Sequence, residues 1–323
     1  MSATPRILIV KPSSLGDVVH ALPTVNRIRR HWPDAHIAWL INDSLASLLT
    51  NCPLINEVIP FPRRDYCALP ALFRRLRAGR FDIVVDLQGL LRSGLFTAAT
   101  GAPHRIGLSD ASEGSRMFYN EVMPVPRIHA VDRYLRAAEC LRCPEVPIEF
   151  PLGLEGRAPS RPWIAINPSA RWETKLWGDE RYAELIRRLP RERVVLTGSA
   201  SERDRIEKIL GGTRSVASDV PRNLAGKTSL PELAELYAHC AVVVSNDSGP
   251  MHIAAAVGTP VIAIFGPTDP TLTGPYGKQH VVLRAGVDCS PCLKGRCRRQ
   301  PPMECMAKVT VEQVLAAMQP FLV

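Results

Sequence analysis

Short runs rich in Val, Ile and Leu alternate with amphipathic segments along most of this 323-residue chain. Strands buried on both faces read as near-continuous apolar runs, so the pattern points to parallel strands joined by crossover helices. In the first half, 7–10, 36–41, 57–61, 81–86 and 104–107 read as strands, with helices beginning after Asp17 and covering 69–78 and 131–141. Pro23 falls inside the first helical pattern and is expected to kink it or end it early, because proline removes a backbone donor. Between Cys143 and Pro162 the pattern stops: five prolines (144, 147, 151, 159 and 162) with Gly153 and Gly156 mark a linker. It resumes with strands at 163–167, 193–197, 241–245 and 261–264. Ser229-Leu230-Pro231-Glu232 opens a helix as a capping box, and Thr310-Val311-Glu312-Gln313 opens a last one. The expected architecture is α/β, with two parallel-sheet domains, 1–150 and 151–323, facing a cleft and binding ligands at the carboxyl ends of their strands.

Composition removes several alternatives. With 46% hydrophobic and 22% charged residues the chain is globular rather than disordered. Its longest apolar stretch, 251–265, is interrupted by His252, Thr259 and Pro260 and is too short to span a membrane. The apolar run 7–10 is too short for the core of a secretory signal, so a cytoplasmic protein is expected. Forty Lys plus Arg against 31 Asp plus Glu gives a net charge of +9. Part of the excess is local: Arg63, Arg64, Arg74, Arg75, Arg77 and Arg80 lie close together in sequence with Asp65 as the one acid among them. Such a cluster attracts nucleic acid, anionic lipid or a phosphorylated substrate. With 6% aromatic residues and no helix-turn-helix or stacking motif, a nucleic-acid partner is not expected.

The loops at the strand ends carry the chemistry. Lys11-Pro12-Ser13-Ser14-Leu15-Gly16-Asp17 follows the first strand; its small residues admit a ligand close to the backbone, and Asp17 stands at the start of a helix, where a capping role is equally open. It is neither a Walker loop nor a GxGxxG turn. Asn167-Pro168-Ser169-Ala170 leads to Lys175, suited to a diphosphate. Thr197-Gly198-Ser199 leads to Glu202, which suits either a ribose hydroxyl or the first turn of a helix. Asn246-Asp247-Ser248-Gly249 opens another helix, whose free amides suit a leaving phosphate. Phe265-Gly266-Pro267-Thr268-Asp269 follows the next strand.

Together, and in this order, these loops resemble the ADP-heptose:lipopolysaccharide heptosyltransferases, inverting glycosyltransferases of the two-Rossmann GT-B fold. The resemblance runs over essentially the whole chain, including Asp86-Leu87-Gln88-Gly89-Leu90 and Gly274-Pro275-Tyr276-Gly277, and the form of the first loop is closest to heptosyltransferase I. It implies transfer of heptose from ADP-heptose to Kdo of Kdo-lipid A with inversion, without a metal or other cofactor, by a protein on the inner face of the inner membrane. Asp17 would be the general base, helped by partial burial, and Lys175 would neutralise the departing diphosphate. Ser169, Ala170, Glu202, Asp247, Ser248, Gly249 and His252 would hold the donor, with Thr268 and Asp269 as further contacts. Ser13, Ser14, Gly16, Arg63, Arg64, Gln88 and Arg92 would meet the acceptor, the arginines pairing with its carboxylates and phosphates. For His252 a packing role in its helix remains open. The other readings are heptosyltransferase II, a relative using another nucleotide sugar, and a nucleotide-sugar-binding protein without catalysis.

Nine cysteines, an odd number, argue for reduced thiols. Cys289, Cys292, Cys297 and Cys305 stand apart: the first two have zinc-ligand spacing, and a structural zinc, a disulfide or packed thiols remain open for the group.

Overall fold

The computed structural model describes residues 4–154, 163–211 and 221–322. The chain divides into two compact units, Met1–Gly153 and Leu154–Val323. The first holds strands β1 (Arg6–Val10), β2 (His36–Asn42), β3 (Glu57–Phe61), β4 (Ile83–Asp86), β5 (His104–Leu108) and β6 (Glu121–Met123), and helices α1 (Leu15–His31), α2 (Leu69–Ala78), α3 (Leu91–Thr100) and α4 (Ala130–Cys140). The sheet order is β3-β2-β1-β4-β5-β6 with every pair parallel. Alternate residues explain how it is covered. Leu8 and Val10 of β1 pack with Leu72 and Leu76 of α2 and Phe96 of α3, while Ile7 and Ile9, pointing the other way, are equally buried. Each such side chain contributes about 1.5–3 kcal/mol by leaving water.

The chain winds outward from β1 through β2 to β3, then returns to lay β4 on the other side of β1. Diverging connections at β1 and β4 leave a crevice outside their carboxyl ends, and ligands of such sheets bind there.

The second unit repeats the plan with β7 (Trp163–Asn167), β8 (Val194–Leu196), β9 (Arg222–Asn223), β10 (Cys240–Asn246), β11 (Val261–Phe265) and β12 (Val281–Arg284). Its helices are α5 (Asp179–Arg187), α6 (Arg203–Gly211), α7 (Leu230–Ala238), α8 (Gly249–Ala256), α9 (Pro270–Thr273), α10 (Glu304–Ala307) and α11 (Val311–Met318). The order β12-β11-β10-β7-β8-β9 is again all parallel and places the divergence between β7 and β10. Both expected capping boxes form, at Ser229 with Glu232 and at Thr310 with Gln313. None of the helices among the described residues is long and apolar enough to cross a membrane.

Several expectations are corrected. α1 begins at Leu15, so Asp17 lies inside its first turn rather than before it, and Pro23 does not end the helix. A proline costs one backbone bond, and the burial of Val18, Val19, Leu22, Val25 and Ile28 around it more than offsets that loss. The proline-rich stretch after Cys143 is no free linker in its first part. Arg27 donates to the carbonyls of Cys143 and Pro144 at 2.7 and 2.8 Å, Arg30 pairs with Glu149 at 2.7 Å, and Cys52 donates to the Pro151 carbonyl at 3.1 Å. Its remainder, 155–162, with Gly156, Pro159 and Pro162, lies outside the described residues. The last helix packs its Val311, Val314 and Met318 into the core of the second unit.

Candidate active site

In the first unit the crevice between β1 and β4 is organised around a buried lysine. Lys11 opens the loop after β1 at 3% exposure, donates to the Leu87 carbonyl beyond β4 at 3.1 Å, and sits 4.9 Å over the Tyr134 ring of α4. Its Nζ is 3.9 Å from Oδ1 of Asp17. Tyr134 donates its hydroxyl to the same oxygen at 2.9 Å, while Oδ2 accepts from the Ser14 amide at 3.0 Å and the Ser14 hydroxyl at 2.7 Å. The two oxygens are thus different: Oδ2 belongs to the helix cap, and Oδ1 faces Lys11 and Tyr134.

This corrects the expected electrostatics of Asp17. Burial acts to raise its carboxyl, but the Lys11 charge and the Ser14 donors outweigh burial and hold it well below the usual carboxylate range. Burial also raises the Tyr134 hydroxyl, aided by the Asp17 charge, and lowers Lys11 despite the opposing pull of Asp17 and Asp86. The site therefore presents a fixed anion, not a carboxyl poised near neutrality.

Beside it the loops after β1 and β4 touch, the Ser13 amide donating to the Gln88 side chain at 3.4 Å. The second loop is shaped by fully buried Asp86, which accepts from the Gln88 and Gly89 amides at 2.8 and 3.1 Å and from the Tyr119 hydroxyl at 2.7 Å. Gly89 has φ +70, the left-handed region that favours glycine, and an added Cβ would sit tightly, 3.3 Å from Ala111. A cavity of about 190 Å³ opens there, lined by Ser13, Asn42, Arg63, Gln88, Arg92 and Glu113 among others. Four of the expected acceptor residues, Ser13, Arg63, Gln88 and Arg92, are brought together by it. Ser14 and Gly16 lie instead in the cap and first turn of α1, and Arg64 is exposed outside the cavity lining. The buried Asn42 carbonyl oxygen has no hydrogen-bond partner, a vacant acceptor at the end of β2.

In the second unit Lys175 and Asp247 meet at 2.7 Å, with side chains 17% and 6% exposed. Thr268 donates to the same Asp247 oxygen at 2.5 Å, and Lys175 lies 4.9 Å over the Trp172 ring. The loops after β7 and β10 are joined where Asn246 donates to the Pro168 carbonyl at 2.7 Å. Ser169 and Asn167 leave a buried hydroxyl and a buried carbonyl oxygen unpartnered at this divergence. Ala170 follows, half-buried. Ser248 occupies the N-cap position of α8 without a side-chain capping bond, Gly249 is the helix's first residue, and His252 is buried one turn on. Glu202 takes the capping role left open for it: its Oε2 accepts from the Ser199 amide and hydroxyl, both at 2.7 Å. Asp269 likewise caps α9, accepting from the Thr271 amide at 3.0 Å.

Sequence reasoning missed Tyr134, Asn42 and the role of Lys11. Tyr134 stands 117 residues from Asp17 and carries no local signal, whereas Lys11 was visible in the loop as a charge directly after a buried strand.

All nine cysteines are free thiols, which removes the disulfide alternative. Cys289, Cys292, Cys297 and Cys305 line one cavity of about 150 Å³, and Cys297 accepts from the Met303 amide at 3.3 Å. Among the described residues no three His, Cys, Asp or Glu side chains are grouped to hold a metal ion, these four thiols included.

Residues 69–302 match the family model described as glycosyltransferase family 9 (heptosyltransferase). The lipopolysaccharide heptosyltransferase 1 of Pseudomonas aeruginosa is 32% identical, the match covering 93% of this chain and 89% of that protein. The Escherichia coli ADP-heptose lipopolysaccharide heptosyltransferase II superimposes with a TM-score of 0.81 at 26% identity, over 98% of both chains. The E. coli heptosyltransferase WaaC solved with ADP gives 0.80 at 25% identity, covering 98% of this chain and 99% of that one. Two six-stranded parallel sheets wound in this order are the α/β fold of those GT-B enzymes. This chain belongs to glycosyltransferase family 9, the heptosyltransferases, and is an enzyme of that family.

Proposed function

We propose that this enzyme transfers heptose from ADP-heptose to Kdo of Kdo-lipid A during lipopolysaccharide inner-core synthesis, with inversion and without a metal ion, on the cytoplasmic face of the inner membrane. The observation that carries the reading is the asymmetry of Asp17, with one oxygen spent in the helix cap and the other held by Tyr134 beside an arginine-lined cavity. In this reading the acceptor hydroxyl approaches Oδ1. As its oxygen bonds to the anomeric carbon its proton becomes acidic and passes to Oδ1, and the bond to ADP breaks on the opposite face of the sugar. A strongly depressed carboxylate is a weak base for a free alcohol, so proton transfer belongs late, in a transition state where the hydroxyl already carries positive charge. Lys175 balances the diphosphate that departs, aided by the free amides at the start of α8. A lysine and a helix start supply the positive charge a metal would bring, and the sequence holds no Asp-x-Asp pair. Arg63 and Arg92 meet the acceptor's carboxylates or phosphates.

Release of ADP is measured with Kdo-lipid A as acceptor, comparing ADP-heptose with other nucleotide sugars, and repeated with Asp17→Ala. Full turnover by that variant would reject the base. Turnover only on an acceptor that already carries one heptose would assign the enzyme to the heptosyltransferase II reaction instead. The anomeric configuration of the product by NMR tests inversion, and activity after chelation tests metal independence.

A further inference from the structure

The outer face of α3 is apolar. Leu91, Leu95 and Ala98 fall at i, i+4 and i+7, within one narrow sector of the helix, and both leucines are 42% exposed. Ser93, Gly94, Phe96 and Thr97 on the other side are buried. The turn at Ser115–Phe118 packs on α3 at Gly94, where an added Cβ would lie 2.6 Å from the Phe118 ring. Met117, 77% exposed, belongs to that turn. Single exposed leucines are ordinary; a helical stripe of them, with an exposed methionine in the turn packed on the same helix, is unusual for a solvated face. Its margin is basic, with Arg92 and Arg116 both exposed, while the nearby Glu113 accepts from the Leu91 amide at 3.1 Å. Leu90 and Arg92, at the start of the same helix, line the cavity assigned to the acceptor sugar.

The geometry points to this face of α3, with Met117, as the surface that rests on an anionic lipid bilayer. The inference rests on the reading of a lipid-anchored acceptor: a sugar tied to acyl chains reaches a cavity only if the cavity's rim meets the membrane surface. Leu91, Leu95 and Met117 enter the boundary between headgroups and acyl chains, and Arg92 and Arg116 stay at the phosphates. The arginine run singled out in the sequence is thereby divided. Arg63 lines the acceptor cavity, whereas Arg74, Arg77 and Arg80 surround a separate hollow at the carboxyl ends of α2 and α3, where Arg77 donates to the Thr100 carbonyl at 3.3 Å. Lipid contact is assigned to the leucine face, not to that hollow.

The test is sedimentation with vesicles of phosphatidylglycerol and phosphatidylethanolamine, using wild type, Leu95→Asp/Met117→Asp and Arg116→Glu. The double variant is expected to bind at least about tenfold more weakly at both low and high salt, since its loss is apolar, and Arg116→Glu to weaken binding at low salt only. Both variants should keep the wild-type thermal midpoint and wild-type ADP release with a soluble, deacylated Kdo acceptor. Vesicle binding by the double variant equal to wild type would overturn the inference. So would a wild-type dimer that the double variant disperses while vesicle binding is kept, because the face would then bind a second copy. Should no Kdo acceptor support turnover by wild type while the difference in vesicle binding remains, the acceptor reading falls and the lipid face stands.

Discussion

Asp247→Asn is expected to tighten ADP binding. Lys175, the residue proposed for the diphosphate, is paired with Asp247 at 2.7 Å, and Thr268 fixes the same carboxylate oxygen. ADP must therefore compete with a neighbouring carboxylate for the lysine. At this separation and an effective dielectric of about 20 the Coulomb attraction is about 6 kcal/mol. Withdrawing both charges from water costs several kcal/mol, leaving roughly 1–3 kcal/mol as the net worth of the pair. Asparagine keeps the shape and can still accept from Thr268 but gives up the charge, so ADP should bind about 5- to 150-fold more tightly. Lys175→Met should weaken ADP by about 10- to 100-fold, the worth of a hydrogen bond to a charged group. In the Asp247→Asn background the same lysine substitution should cost more, because there the lysine has no prior partner, and the two changes will not be additive. Isothermal titration with ADP on the four proteins measures all of this without depending on a single unfolding transition, which a two-unit chain does not guarantee. The reasoning fails if Asp247→Asn binds ADP tenfold more weakly than wild type, since Asp247 would then support the nucleotide rather than compete for it.

Tyr134→Phe removes the one hydroxyl donor on Oδ1 of Asp17 and should lower kcat by about 10- to 100-fold with little change in KM for the donor, because Oδ1 loses the hydrogen bond that aims it while Oδ2 stays held by Ser14; an unchanged kcat would leave Tyr134 a packing residue. Asp17 carries a depressed folded-state pKa, so its stabilisation is fully present above the ordinary range near 3.9 and is lost as pH falls through the folded value. The difference in thermal midpoint between wild type and Asp17→Asn should accordingly stay constant from about pH 7 to 5 and shrink below about pH 4; a difference already shrinking between 7 and 5 contradicts the depressed value. Gly94→Ala would put a methyl carbon 2.6 Å from the Phe118 ring and 3.2 Å from the Ser115 carbonyl, and should destabilise the first unit by about 1–3 kcal/mol in urea denaturation despite alanine's better helix propensity. No loss there would mean that the Ser115–Phe118 turn, which carries Met117, shifts freely on α3.

What the sequence disclosed and what it withheld separate along physical lines. Strands buried on both faces, such as 7–10 and 261–264, announce themselves because every residue is apolar; β6, β9 and β12, of three, two and four residues at or near the sheet edges, carry too few positions for any period to show. Loops at the carboxyl ends of the strands were legible because the alternation implied parallel sheets, and their chemistry was suggested by small residues around one charge. The state of that charge was not. Asp17 read equally well as base and as cap; in the fold one oxygen is spent in the cap, and the other, proposed above as the base, is held by Tyr134, more than a hundred residues away, beside a lysine whose burial no local pattern announces. The arginine run shows the opposite error: six cations adjacent in sequence suggested one surface, but β3 and α2 place them differently, with Arg63 at the carboxyl edge of the sheet beside Gln88 and Arg77 and Arg80 near its amino edge beside Phe81. Proximity along the chain therefore predicted charge density but not a common ligand, and the apolar side chains that distinguish the lipid-facing candidate, Leu95 and Met117, had no reason to be noticed until the turn at Ser115 packed against Gly94.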